Sequence, residues 1–170
     1  GEILTLDNDR PPAFTAIMEH QQRIFGLVGN RLYFSKAAFP ESFPPGNYIE
    51  VSTLGDAPQQ LRQYDGVPYL WTQARVYQIL GSDDTTYFPR QIQCPTGLGA
   101  KKSVERGERG IYFLGREGGL WRLQGGTAVN ISDEHHYALS HGVTQNGISS
   151  FNTTASVLAT CVGAWYNQRL

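Results

Sequence analysis

The chain is poor in the features that mark several common protein classes. It has only two cysteines, Cys94 and Cys161, far apart and without a C-x-x-C pair. That argues against a zinc ribbon and a disulfide framework and leaves two ordinary thiols as the expectation. There is no apolar run near the ~20 residues that span a bilayer, so no membrane is expected as a partner. Charge of one sign is missing too: 14 basic residues face 15 acidic ones, a formal net charge of -1. No overall field therefore recruits nucleic acid or an anionic membrane. The opening "GEILTLDNDRPPAFT" has neither a basic n-region nor an apolar core, so no signal peptide is read there. Without a secretory route the sequons at Asn130 and Asn152 carry little weight.

What the sequence does hold is short strand-like segments over most of its 170 residues. "RIFGLV", "RLYFS", "NYIEV", "PYLWT", "RVYQIL", "GIYFL" and "LWRL" are rich in β-branched and aromatic residues and bounded by Gly, Asn, Asp or Pro. Gly29-Asn30 joins the first pair as a two-residue hairpin turn, "GREGG" joins the last, and "PYLWT" runs into "RVYQIL" with scarcely a gap.

Two aromatic registers tie these hairpins together. Tyr33, Tyr77, Trp121 and Trp165 recur every 44 residues, and eight residues before each stand Phe25, Tyr69, Phe113 and Val157. Two interlocked sets are hard to obtain by accident, so each unit is expected to present two large side chains from adjacent strands to its packing faces. A period of about 40–45 residues suits the four-stranded blade of a β-propeller, whose faces stay unburied until neighbours stack on them. A β-sandwich gives no reason for the period, and tandem domains of that size are marginal without disulfides or metal.

The fold expected is therefore all-β, with β-propeller-like blades of four antiparallel strands that form an incomplete part of a larger ring. Residues 1–15 read as the end of a preceding segment or blade, and residues 16–170 as about three blades plus a partial fourth. The ring would be completed by further chain or by other subunits.

Candidate chemistry is thin. "ISDEHHYALSHG" gathers Asp133, Glu134, His135, His136 and His141, but adjacent His135 and His136 point to opposite faces of an extended segment, and a solvated loop is the better reading. "PTGLGAKKS" lacks the phosphate-loop spacing, because only Leu98 separates Gly97 from Gly99, and reads as a blade-to-blade turn. "LGSDDTTYFPR" is comparable to the Asp-box turns of sialidase-like propellers, without their Gly and Trp. "AKKSVERGERG" reads as a charged strand edge or turn. No acid, base and nucleophile trio emerges, so no enzyme is expected and no catalytic, cofactor-binding or metal residue is assigned. The regular aromatic marks read as core packing.

The stretch "HQQRIFGLVGNRLYFSKAAFPESFPPGNYIEV", His20 to Val51, resembles a recurrent segment of virion structural proteins of tailed bacteriophages, a hairpin of the form "hQ.Rlf...N.lyfS" followed by "Pe.fp..nyi.v". "GVPYLWTQARVYQILG", "SVERGERGIYFLGREGGLWRLQGGTAVNIS" and "VGAWYNQRL" are similar to later hairpins of such proteins. The resemblance implies a propeller-like domain in a tail, neck or nozzle component of the virion, assembled in the bacterial cytoplasm. Its implied partners are other virion proteins and further copies of itself, with at most passing contact with phage DNA; it implies no cofactor. The alternative is a carbohydrate-binding propeller in which Trp71, Trp121 or Trp165 stacks on sugar rings.

Overall fold

A computed structural model of the chain describes residues 9–51 and 55–132. The described residues form twelve strands and no helix. The first sheet holds β1 (Ile17–His20), β2 (Arg23–Val28), β3 (Arg31–Phe34) and β4 (Tyr48–Glu50). The second holds β5 (Pro58–Tyr64), β6 (Val67–Thr72), β7 (Val76–Leu80) and β8 (Phe88–Gln91). The third holds β9 (Glu105–Gly107), β10 (Gly110–Leu114), β11 (Leu120–Gln124) and β12 (Thr127–Asn130). Each sheet is an antiparallel four-stranded meander with its strands in chain order, the blade-like all-β pattern expected from the repeat.

Local turn chemistry explains the meanders. Gln21 and Gln22 between β1 and β2, Asp65 and Gly66 between β5 and β6, and Gly125 and Gly126 between β11 and β12 all have positive φ. That is the sign pattern of the type I′ turn, whose twist matches the strands it joins. Gly29 has φ 55° and its partner Asn30 has none of that sign, the type II′ pattern with glycine first. Between β10 and β11 the longer "GREGG" closes through Gly115 N–H to Gly119 O and Gly118 N–H to Gly115 O, both 3.0 Å. "APQQLRQYDG", which the sequence offers as a lead-in to the second hairpin, is itself strand β5 with its turn.

The early aromatic register is a constant structural position. Phe25, Tyr69 and Phe113 lie on the second strand of their sheets, and all three are buried. The late register lies on the third strand but faces inconsistent directions. Phe113 pairs directly with Trp121, whereas Phe25 pairs with Phe34 and Tyr33 pairs with Gly26. A two-residue turn in one hairpin and a five-residue loop in the other shift the pairing by one place, and a shift of one reverses the face. Tyr77 is buried, while Tyr33, on the face opposite Phe25, and Trp121, on the same face as Phe113, are both half-buried. Core packing describes the first register well and the second only in part.

The chain divides into two compact units, one comprising the chain up to Leu70 with Tyr77–Arg90 and the other Trp71–Val76 with the chain from Gln91 onward. In the first unit, Phe25, Leu27, Leu32 and Phe34 of the first sheet share a core with Leu61, Leu70, Tyr77, Ile79 and Tyr87. The Tyr87 ring meets Phe25 at 5.2 Å and Phe34 at 5.1 Å, both edge to face, a geometry that adds attraction to burial. Arg23 is buried beside it, donating to Ser35 O at 2.8 Å and reaching Asp84 Oδ1 at 3.4 Å. Residues before β1 extend this unit: Thr15 N–H donates to Leu27 O, and Asp9 N–H to Phe43 O.

In the second unit, the fully buried Trp71 stands 5.8 Å from Phe113, and Ile111, Leu123, Leu98 and Val104 are buried as well. The segment carrying Gly97 and Gly99 threads between backbones. Leu98 N–H donates to Thr72 O (2.9 Å), Gly99 N–H to Leu114 O (2.9 Å), and Arg116 N–H to Gly97 O (3.1 Å). A Cβ at Gly97 would overlap the Gln73 carbonyl, and one at Gly99 the Gly115 carbonyl. The two glycines of "PTGLG" thus serve close backbone packing in the connection between the second and third sheets, and every partner of their amides and carbonyls named here is the chain itself. We expect Gly97→Ala to destabilise the protein by about 1–3 kcal/mol, as overpacking of a filled site does. Denaturant unfolding measures this; an unchanged midpoint would contradict the close approach.

Candidate functional site

The motifs singled out in the sequence resolve mostly into local structure. In the "SDDTT" turn, Thr85 donates to Asp83 Oδ1 from its N–H (3.0 Å) and its hydroxyl (2.7 Å), while Ser82 and Asp83 N–H groups donate to Thr86 Oγ1, each at 3.1 Å. These bonds to Thr85 hold the Asp83 carboxyl below its ordinary value by favouring the charged acceptor. Asn130 Oδ1 accepts from the N–H and hydroxyl of Ser132, each at 3.0 Å. The charged "VERGERG" run supplies β9, an edge strand of its sheet. Cys94 is a free thiol, donating to Thr96 O at 3.0 Å, and burial pushes its pKa up. The acidic and histidine cluster from Asp133 to His141, together with Cys161, Val157 and Trp165, lies outside the described residues. Among the described residues no group of three His, Cys, Asp or Glu could hold a metal.

Among the described residues two surfaces stand out, one in each unit. On the first sheet, the pairings Gly26↔Tyr33↔Tyr48 and Val28↔Arg31↔Glu50 form two adjacent rows on the face opposite Phe25 and Phe34. The Tyr33 and Tyr48 rings are 5.5 Å apart and half-buried, and the Arg31 guanidinium lies 4.2 Å over the Tyr48 ring. Arg31 also bonds to Glu50 at 3.2 Å, and hydrogen bonds with Tyr33 and Glu50 raise its pKa further. At the other end of the row Phe14 lies over Gly26, with its ring 5.2 Å from buried Phe43.

On the third sheet, one face carries buried Ile111, Phe113 and Leu123. By strand alternation the other carries Leu114↔Leu120 and Tyr112↔Arg122↔Val129, continued by Ile131, whose N–H donates to Leu120 O. Leu120, Val129 and Ile131 are 41, 47 and 43% exposed. Contiguous apolar exposure of this kind marks an interaction surface more often than a plain monomer face.

Of the tryptophans named as candidates, Trp71 is fully buried and Trp121 half-buried. Sequence reasoning did not single out Arg31, Tyr48 or Glu50. Their signal is the alternation of "RLYF" and "NYIE", which becomes a surface only once the 13-residue connection between β3 and β4 sets their register. No protein-family model matches this chain, and a search of curated proteins returns no relative.

The first unit buries a histidine. His20, at the end of β1, is nearly inaccessible, with its ring 5.7 Å from Phe25, and its Nδ1 has no hydrogen-bond partner among the described residues. Burial pushes its pKa below the ordinary 6.5, against the smaller opposing pull of Glu19 and a hydrogen bond with Gln63. A lowered folded-state value means that the unfolded chain binds the proton first as pH falls. The contribution of neutral His20 is thus fully present above the unfolded value and is lost as pH drops through it toward the folded one. Between about pH 7.5 and 5 we expect stability to fall less steeply in His20→Gln than in the parent. Denaturant unfolding of both proteins at the two pH values checks this, and equal slopes would refute it.

Proposed function

We propose that this protein is a structural component of a tailed-phage particle, in its tail, neck or nozzle, acting through rigid protein-protein surfaces rather than by catalysis. The observation that carries this reading is the face of the third sheet on which, among the described residues, Leu120, Val129 and Ile131 stand exposed on a scaffold of short, tightly turned strands. An apolar face on a stiff sheet suits a permanent neighbour, since burying it costs little ordering entropy. The near-neutral chain lets many copies sit together without strong self-repulsion. The resemblance to virion proteins over most of residues 20–132 agrees with this role. Its partners would be other virion proteins and further copies of the same chain, with phage DNA touching it only in passage.

Immunogold electron microscopy of pelleted phage particles, with an antibody raised against this chain, tests the proposal. We expect gold clustered at the tail or neck. Antigen confined to the soluble fraction, with dissociated particles used as the control for epitope access, would overturn it.

A further inference from the structure

We propose that copies of this chain join head to tail, the outer face of the third sheet in one copy seating on the outer face of the first sheet in the next. This rests on the reading of the third-sheet face as a protein contact, and it names both the partner and the partner's surface.

The third-sheet face combines exposed aliphatic side chains with an unpaired cation. Leu120, Val129 and Ile131 stand exposed, and Arg122, directly opposite Val129 and Tyr112 on its neighbouring strands, lies in their midst. Its Nε is buried without a hydrogen-bond partner, and no ion pair of a described residue includes its guanidinium. Glu105 shares the row beyond Tyr112, two strands away, roughly 10 Å at the spacing of paired strands. A half-buried guanidinium among aliphatic side chains calls for a carboxylate that arrives with apolar neighbours, since covering the face without one strands the charge.

The first sheet presents that combination. On β1, Met18 packs against the core, so alternation turns Ile17 and Glu19 outward. Ile17 is 62% exposed, and through its pairing with Gly26 it continues the row of Tyr33 and Tyr48. The exposed Glu19 carboxylate accepts from Gln22 N–H at 3.1 Å and makes no ion pair among the described residues. The other charges of this face, Arg31 and Glu50, neutralise each other at 3.2 Å. Spacing matches as well as charge. Ile17 and Glu19 stand two residues apart on one strand, as Leu120 and Arg122 do on β11, and each pair spans about 7 Å.

Pairing either face with itself would bring two Arg122 guanidinium groups, or two Glu19 carboxylates, into one apolar contact, where like charges repel. The contact is therefore heterologous, and it repeats from copy to copy into a ring or a filament according to its rotation. A face four strands wide and four or five residues long measures about 19 by 15 Å, at the small end of specific interfaces. Two copies in solution thus associate weakly, and repetition around a particle strengthens the contact.

Sedimentation velocity of the full chain, from about 5 to 500 μM, tests this. We expect a sedimentation coefficient that rises with concentration. Glu19→Arg and Arg122→Glu should each weaken self-association by about tenfold or more. An equimolar mixture of the two should form a discrete heterodimer, because each variant contributes the face the other has lost, and the double variant Glu19→Arg/Arg122→Glu should associate again through the exchanged charges. Thermal melts verify folding; if Arg122→Glu is not folded, Leu120→Asp at the exposed rim takes its place in the mixture. A parent that stays monomeric throughout overturns the proposal, as it would if the chain's own residues 133–170 cover the face. So does association that both folded single variants leave unchanged, or a mixture that remains monomeric. A monomeric parent with gold at the tail would sink this contact alone, whereas association without gold would sink the phage assignment alone.

Discussion

A four-stranded meander of short strands cannot bury its own faces, and the position that relieves this constraint is the aromatic residue on its second strand. In the first unit Phe25 fills it, meeting Phe34 and the edge of Tyr87 within one continuous core. In the second, Phe113 fills it, packed against Trp71. Fully burying a side chain of this size stabilises by roughly 1.5–3 kcal/mol, a sizeable share of the roughly 5–15 kcal/mol by which a domain is stable. Other features follow from holding that ring in place: tight turns on either side of its strand, a meander that keeps its neighbours in register, and glycines where a connection must pass close to another backbone.

The same constraint explains why function is read from the faces the rings leave uncovered. Alternation along β10 and β11 that buries Phe113 and Leu123 must send Leu120 and Arg122 the other way. Alternation along β2 and β3 that buries Phe25 and Phe34 must send Gly26 and Tyr33 outward. One outward face carries exposed Leu120, Val129 and Ile131 around Arg122. The other carries Tyr33 and Tyr48 with the Arg31–Glu50 pair beside them. Both differ from a catalytic cleft, in which titratable groups converge on a reacting atom.

Much of the fold was legible because its signals are local. Strand segments and the Gly29-Asn30 turn depend on residues adjacent in sequence, and the spacing of Phe25, Tyr69 and Phe113 reflects one structural unit repeated. The late register was only half legible. Tyr33 and Trp121 hold the same interval from their partners, yet hairpin loops of different length give them different cross-strand neighbours. Periodicity in sequence reports position along the chain, whereas the face a side chain occupies depends on pairing register.

The candidate surfaces were less legible still, since each joins residues whose proximity comes from pairing rather than from spacing. Tyr48 and Glu50 reach Tyr33 and Arg31 only after a proline-rich excursion returns β4 to the edge of the sheet. "PTGLG" resembled a turn for its glycines, but the backbones they approach, at Gln73 and Gly115, lie far away in sequence. By itself the sequence determined an all-β chain of repeating four-stranded units, because strand propensity, turn chemistry and aromatic spacing are written in neighbouring residues. Tertiary structure alone decided which side chains share a face, because a shift of one residue in pairing exchanges the two faces of a strand.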